Sequence, residues 1–228
     1  DPTMGALLAR NVSGPLRHRF GTPRDLVLGA TLVLGDGTIA SSGGKVVKNV
    51  AGYDLARLVC GSEGRLAFVA RASFRLHPLP KATRTLVVET DETARVVARL
   101  LGSQLQPSAL DLLHPGRVAV LFEGSERAVE AQLAGARALV GGAEADTSVW
   151  DESRERQGAS KGRVRFAPGD LATALESLSE SVIRPSAGVA YTARENACDG
   201  SSQAFSRGVE GLVARIRRGL DPRGVLGG

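Results

Sequence analysis

Gly43-Gly44-Lys45-Val46-Val47-Lys48-Asn49-Val50-Ala51-Gly52-Tyr53-Asp54-Leu55, continued by Leu58-Val59-Cys60-Gly61-Ser62-Glu63-Gly64-Arg65-Leu66-Ala67-Phe68-Val69, is the run on which the fold of this chain is decided. Its glycines alternate with a few polar groups and end against an apolar segment. Glycine lets a backbone pass close to a bulky planar or phosphate-bearing ligand, so the run suits a ligand loop. A pair of ordinary turns satisfies the same spacing. Working outward, Leu26 to Leu34 reads as a buried strand, and Gly35-Asp36-Gly37 turns it into a partner beginning at Thr38-Ile39-Ala40. Asp54 to Val59 reads as a short helix with Asp54 as its N-cap, and Gly61 and Gly64 break it. Leu66 to Leu76 then reads as a strand with Ala67, Val69 and Ala70 inward, and His77-Pro78-Leu79-Pro80 closes the region.

The pattern Gly-Gly-Lys-x-x-Lys-Asn-x-Ala-Gly-Tyr-Asp-Leu followed by Gly-Ser-x-Gly-x-Leu resembles the flavin-binding domain of the vanillyl-alcohol-oxidase superfamily. Within it the chain is most similar to the FAD-binding subunit of bacterial glycolate oxidase and related FAD-linked 2-hydroxyacid oxidoreductases. Upstream, Thr3-Met4-Gly5-Ala6 through Asn11-Val12-Ser13-Gly14-Pro15 resembles the family's Thr-Ile-Gly-Gly-x-x-Ala-x-Asn-x-Ser-Gly segment. Near the end, Asp221-Pro222-Arg223-Gly224-Val225-Leu226 resembles its closing Asp-Pro-x-Gly-x-Leu segment.

Length and composition fit one large or two modest globular domains: 228 residues, 43% hydrophobic and 23% charged. Lys and Arg exceed Asp and Glu by 29 to 24, a net charge of +5. The basic residues are scattered and aromatics are only 4%, which argues against a nucleic-acid surface. The two cysteines, Cys60 and Cys198, form neither a disulfide framework nor a metal pattern. No apolar run approaches the roughly 18 residues of a membrane helix, and the start shows no signal-peptide pattern. A cytoplasmic location is expected, with any peripheral contact to the inner face of the membrane made through partners.

Beyond Pro80 the pattern alternates. Thr85–Glu89 is strand-like, Glu92–Leu101 an amphipathic helix, Ser108–Leu113 and Arg117–Phe122 strands, and Ser125–Val140 a longer helix. That β-α-β-β-α order predicts a ferredoxin-like unit, an antiparallel sheet covered by helices on one face. Arg163–Phe166, Gly169–Ser181 and Ser186–Tyr191 read as strand, helix and strand, and Ser206–Leu220 as a final helix. The predicted fold is therefore α+β: residues 1–80 as the C-terminal part of a PCMH-type FAD-binding domain, 81–195 as a ferredoxin-like cap, and 196–228 as a helix returning to the FAD domain.

The resemblance implies FAD as cofactor and assigns contacts to it. Thr3, Gly5 and Ala6 let the chain pass close to the ring, whereas the residues alone also fit a helix start followed by a loop. Asn11, Ser13 and Gly14 supply polar contacts to the ring edge or ribityl chain. Lys45 and Lys48, together with Gly52 and Tyr53, lie beside the cofactor, where a cation stabilises reduced, anionic flavin. Solvated lysines and a packed Tyr53 with one hydrogen bond are the alternatives. Gly61, Ser62 and Gly64 present amides to the ADP part, and Phe68 and Val69 bond the adenine through the main chain. Arg65 replaces a more usual threonine, and Ala67, a usual glycine.

Three departures bear on the chemistry. The family's hydroxyacid-oxidising subunits carry His-Gly-Asp-Gly-Asn and Glu-His-Gly motifs, and this chain has only His18, His77 and His114. Val149-Trp150-Asp151-Glu152-Ser153-Arg154-Glu155 instead resembles the cap of the glycolate oxidase subunit that lacks those motifs. The phosphate-wrapping loop that opens the flavin domain is not in the sequence, so the chain is expected to be shortened at its N-terminus. The function implied is that of an FAD-binding subunit of a glycolate oxidase complex, a 2-hydroxyacid dehydrogenase. It works with a histidine-motif-bearing catalytic flavoprotein subunit and an iron–sulfur subunit. A non-catalytic assembly module, or another FAD-linked alcohol or lactone oxidase, remains open, and no catalytic residue or metal ligand is assigned.

Overall fold

A computed structural model describes residues 3–44, 52–194 and 207–226, with backbone only for 207–210. The chain forms two compact units. The first comprises Asp1–Ser13, Phe20–Pro78 and Ala204–Gly228, and the second Gly14–Arg19 and Leu79–Gln203.

In chain order the first elements are α1 (Met4–Arg10), the single turns α2 (Arg17–Phe20) and α3 (Pro23–Leu26), β1 (Val27–Val33), β2 (Ile39–Gly43), α4 (Leu55–Val59) and β3 (Phe68–Phe74). The strands form an antiparallel sheet in the order β2-β1-β3, with the outer edge of β3 unpaired among the described residues. Leu8 of α1, Val27, Ala30 and Leu32 of β1, Ala56 and Val59 of α4, Cys60 and Ala67 share one buried cluster. The Gly35-Asp36-Gly37 hairpin closes through the Leu34 amide to the Thr38 carbonyl at 2.9 Å, with Gly37 at φ 90°. Asp54 caps α4 by accepting the Arg57 amide at 3.0 Å. Ser42 joins that cap to β2: its hydroxyl donates to the Tyr53 carbonyl at 3.0 Å and accepts the Leu55 amide at 2.9 Å.

Two differences from the sequence reading arise here. Ala70, expected inward, is exposed, because the β1–β3 register shifts between Thr31↔Arg71 and Leu32↔Val69 and leaves Ala70 as the extra residue. Tyr53 does not pack; it is 91% exposed. The close pairing of β1 and β2 depends on Gly43, which sits at φ 73° and would place a Cβ 2.2 Å from the Leu28 carbonyl oxygen. Gly43→Ala is expected to destabilise the first unit by about 2 kcal/mol, the sum of left-handed strain and displaced backbone. A denaturant titration reads this as a lower midpoint.

The second unit contains β4 (Ala82–Glu89), α5 (Thr93–Leu101), β5 (Ala109–His114), β6 (Arg117–Gly124), α6 (Glu126–Val140), β7 (Ala143–Ala145), α7 (Ser148–Gly158), β8 (Gly162–Arg165), α8 (Leu171–Ser177), β9 (Ser181–Arg184) and β10 (Val189–Thr192). Its sheet runs β7-β4-β6-β5-β9-β10-β8, antiparallel throughout. Alternation sorts the strand side chains into two faces. Leu86, Val88, Leu110, Leu112, Val118, Val120, Phe122 and Ile183 pack with Val96, Val97 and Leu100 of α5, Val129 and Leu133 of α6, and Leu171 of α8.

The opposite face is also covered, which corrects the expectation of helices on one side only. Ala109, Leu113, Ala119 and Leu121 pack against Val149 and Trp150 of α7. Polar contacts continue the seam along the helix: the Trp150 indole N–H donates to Thr85 Oγ1 at 2.9 Å and the Ser153 hydroxyl to Asp111 Oδ2 at 2.5 Å. Asp111 and Arg184 are fully buried beneath α7 as an ion pair at 3.4 Å, and Arg184 donates to Gln157 Oε1 at 2.7 Å. Burial pushes the Asp111 carboxyl above its ordinary pKa, with Arg184 and Ser153 pulling it back. The helix expected over 169–181 ends at Ser177, because Ser181–Arg184 is a buried strand. The strand expected from Ser186 starts instead at Val189, after a tight turn over Pro185–Ala187 that ends on Gly188 at φ 57°.

Candidate functional site

In the first unit a cavity of about 520 Å³ opens between α1 and β3. It is lined by Thr3, Gly5, Ala6, Ala9, Gly64, Ala67, Phe68, Val69, Ala70 and Leu226. Most of these residues are glycine or alanine, so the walls are largely backbone and methyl groups. Such walls admit a flat ring system and leave main-chain polar groups within its reach.

Local sequence builds each wall. Thr3 caps α1 by accepting the Ala6 amide at 3.2 Å, and Gly5, Ala6 and Ala9 form a small-residue face at helical spacing. Gly5 makes the approach of α1 to the strand possible, since a Cβ there would lie 3.2 Å from the Val69 carbonyl oxygen. The 61–64 turn is held in left-handed conformations at Gly61 (φ 80°), Glu63 (φ 56°) and Gly64 (φ 81°). It is tied to the end of α1: the Gly61 amide donates to the Leu8 carbonyl at 3.2 Å and the Glu63 amide to the Ala9 carbonyl at 2.8 Å. The Ser62 amide donates to the Val59 carbonyl at 3.1 Å, while the buried Ser62 hydroxyl has no hydrogen-bond partner among the described residues.

Of the residues named from sequence, Thr3, Gly5, Ala6, Gly64, Phe68 and Val69 come together on this cavity. Asn11 does not line it. It ends α1 in the left-handed region at φ 50°, and its Oδ1 accepts the Arg24 amide at 3.1 Å. Ser13 is buried in the first unit, whereas Gly14 groups with the second. Gly61 and Ser62 form the turn behind Gly64, and Gly52 and Tyr53 are exposed. Lys45, Lys48 and Asn49 lie outside the described residues. Ala9, Ala67, Ala70 and Leu226 also line the cavity, although the motif assigns none of them to the cofactor. Ala9 was legible as the residue one turn beyond Gly5. The Ala67 methyl, a departure from the family pattern, is accommodated in the core at 2% exposure.

No ionisable side chain lines the cavity among the described residues. His77 packs on Phe20 with ring centroids 4.6 Å apart. His18 Nδ1 is 2.8 Å from Ser186 Oγ, and burial lowers its pKa. The Cys60 thiol donates to the Ala56 carbonyl at 3.1 Å, and burial pushes it up to about 11, so it is a neutral core group at physiological pH. A second cavity of about 540 Å³ lies in the other unit, bordered by Glu89, Glu144 and the Arg117–Glu152 ion pair. Val149 and Glu152 of the cap-resembling run line it, and none of the residues assigned to the cofactor from sequence does. No described helix is long and apolar enough to cross a membrane.

No protein-family model matches the chain. Among curated proteins it is 36% identical over 159 residues to glycolate oxidase subunit GlcE of Escherichia coli (strain K12), covering 69% of this chain and 44% of that protein. It is 38% identical over 114 residues to glycolate oxidase subunit GlcD of Bacillus subtilis (strain 168), covering 49% and 24%. It is 35% identical over 120 residues to a D-lactate dehydrogenase of Archaeoglobus fulgidus, covering 52% and 27%. The chain thus spans less than half the length of these relatives. A solved alkyldihydroxyacetonephosphate synthase shares the fold at a TM-score of 0.64 and 14% identity, over 97% of this chain and 57% of that one.

Proposed function

Because the chain belongs to the FAD-linked oxidase family of the glycolate oxidase subunits and D-lactate dehydrogenases, we propose that its first unit holds part of FAD in the α1–β3 cavity. We propose further that it serves as the FAD-binding subunit of a complex oxidising glycolate or another small 2-hydroxyacid. The observation that carries this reading is the convergence of Thr3, Gly5, Ala6, Gly64, Phe68 and Val69 on one cavity with bare backbone walls. The residues present fit the cofactor's chemistry. Gly64, whose Cβ position is open, admits a ring against the backbone, and the small side chains of Ala6 and Ala9 leave room beside it.

When bound, FAD supplies the acceptor for the hydride that leaves the hydroxyl-bearing carbon of the substrate. The cavity residues orient that group and exclude water. The matching proton needs a base, which this reading places on a histidine-bearing partner subunit, and an iron–sulfur subunit carries the electrons onward. The purified complex tests the reading. Gly61→Val with Gly64→Val strains two left-handed residues and should reduce 2-hydroxyacid-dependent dye reduction by at least about tenfold. Unchanged activity in a complex that still assembles would refute a working flavin site here.

One observation favours a second reading. The amides of Gly61, Ser62 and Glu63 all donate to main-chain carbonyls of the same unit, leaving the turn little free donor capacity for a pyrophosphate. On that reading the unit is an assembly module derived from a flavin domain. A colourless chain that binds its partner subunits and takes up no added FAD would establish it.

A further inference from the structure

Leu226 forms one wall of the α1–β3 cavity, yet it lies six residues beyond the end of α9 (Arg207–Leu220) in a segment with no regular structure of its own. What places it is Asp221. This residue is 5% exposed, and its carboxylate collects two backbone amides from the following turn: Oδ1 accepts Val225 N–H at 2.8 Å and Oδ2 accepts Leu226 N–H at 3.0 Å. The turn bends at Gly224, at φ 65°, whose amide reaches the Asp221 carbonyl at 3.3 Å. Val225 is 66% exposed, so burial of its side chain does not hold the turn. Two charge-assisted hydrogen bonds do.

Asp221 is in turn seated by the β1–β2 hairpin. The Gly35 amide donates to the Leu220 carbonyl at 3.1 Å, and the Gly35 Cα lies so close to the carboxylate that a Cβ would stand 2.1 Å from Oδ1. Gly35 itself lies outside the cavity lining. We infer that Asp221 is a positioning residue for the cavity: its carboxylate clasps the Val225–Leu226 turn so that Leu226 closes the α1–β3 wall, and Gly35 leaves the room in which that carboxylate sits. This deepens the flavin reading of the cavity and rests on it.

The geometry sets the expected effects. Asparagine at 221 keeps one acceptor oxygen and turns an amide donor toward the other backbone N–H, so one of the two holds is lost. Gly35→Ala should act in the same way from outside, by displacing the carboxylate. Flavin fluorescence titrations with FAD should show affinity weakened by about tenfold in Leu226→Ala, Asp221→Asn and Gly35→Ala alike, with Asp221→Asn adding less than about twofold once Leu226 is already alanine. Amide exchange, read in the same proteins without ligand, should speed at Val225 and Leu226 in Asp221→Asn and Gly35→Ala and stay slow in β1. Variants that lower the melting temperature yet keep FAD affinity, or Asp221 and Leu226 effects that multiply, would overturn the clasp. If the unsubstituted chain takes up no FAD, the flavin reading fails instead, and unchanged exchange at Val225 and Leu226 would then overturn the clasp independently.

Discussion

Ala6→Trp should lower the affinity of the chain for FAD by at least about 100-fold, some 2.7 kcal/mol, with little change in melting temperature. Ala6 lines the cavity from the middle of α1, whereas the buried anchor of that helix is Leu8, at 0% exposure. An indole at position 6 therefore fills the space between α1 and β3 without entering the core cluster. The Ala6 backbone still donates to Thr3, so the cap is retained, and tryptophan costs the helix no more than about 0.7 kcal/mol relative to alanine. A titration monitored by flavin fluorescence separates the outcomes. FAD bound as tightly by Ala6→Trp as by the parent would place the flavin elsewhere.

The second large effect concerns the other unit. Arg184→Met should destabilise it by about 3–5 kcal/mol, because it leaves the Asp111 carboxylate buried without its counter-charge. The pH dependence has a definite sign. Burial already holds the folded-state pKa of Asp111 above the ordinary 3.8, and loss of Arg184 raises it further. Between the unfolded and folded values the native state binds the extra proton, so stability falls as pH rises through that window and recovers on acidification. Urea unfolding at neutral and mildly acidic pH should thus show a smaller deficit for Arg184→Met at the lower pH, and Asp111→Asn combined with Arg184→Met should regain part of the loss. An equal deficit at both pH values, unaffected by Asp111→Asn, would show that lost packing of the long arginine side chain dominates.

The same buried pair shows why part of this fold was hidden in the sequence. Hairpin and capping signals are local: Gly35-Asp36-Gly37 specifies its turn through left-handed glycine geometry, and Asp54 specifies the start of α4 by bonding an amide three residues on. Helix α7 carries its local signal only ahead of its first residue, where Asp146 Oδ1 accepts the Ser148 amide at 2.8 Å. Only Val149 and Trp150 of Ser148–Gly158 are apolar and buried, and its other contacts with the sheet are polar: Ser153 and Gln157 meet Asp111 and Arg184, Glu152 pairs with Arg117, and Arg156 donates to the His114 carbonyl, all on strands distant in sequence. Polar letters read as a solvated surface until tertiary structure supplies their partners.

The candidate site divides along similar lines. Gly5, Ala6, Gly64, Phe68 and Val69 were legible because their cluster of small residues and the following strand lie in one motif-bearing region. Leu226 was not, since a distant turn delivers it through Asp221. Asn11 was assigned to the ligand by its place in the motif, and its side chain instead secures the Arg24 amide. Tyr53 was assigned by the same route, and its ring projects to solvent at 91% exposure.

Amide hydrogen exchange with and without FAD tests the central claim, because it reports both that flavin binds and where. Added FAD should slow exchange in Met4–Arg10, in the 61–64 turn and in Phe68–Phe74, and leave the strands of the second unit unchanged. No protection at about 100 μM FAD, or protection confined to the second unit, would contradict a flavin site between α1 and β3.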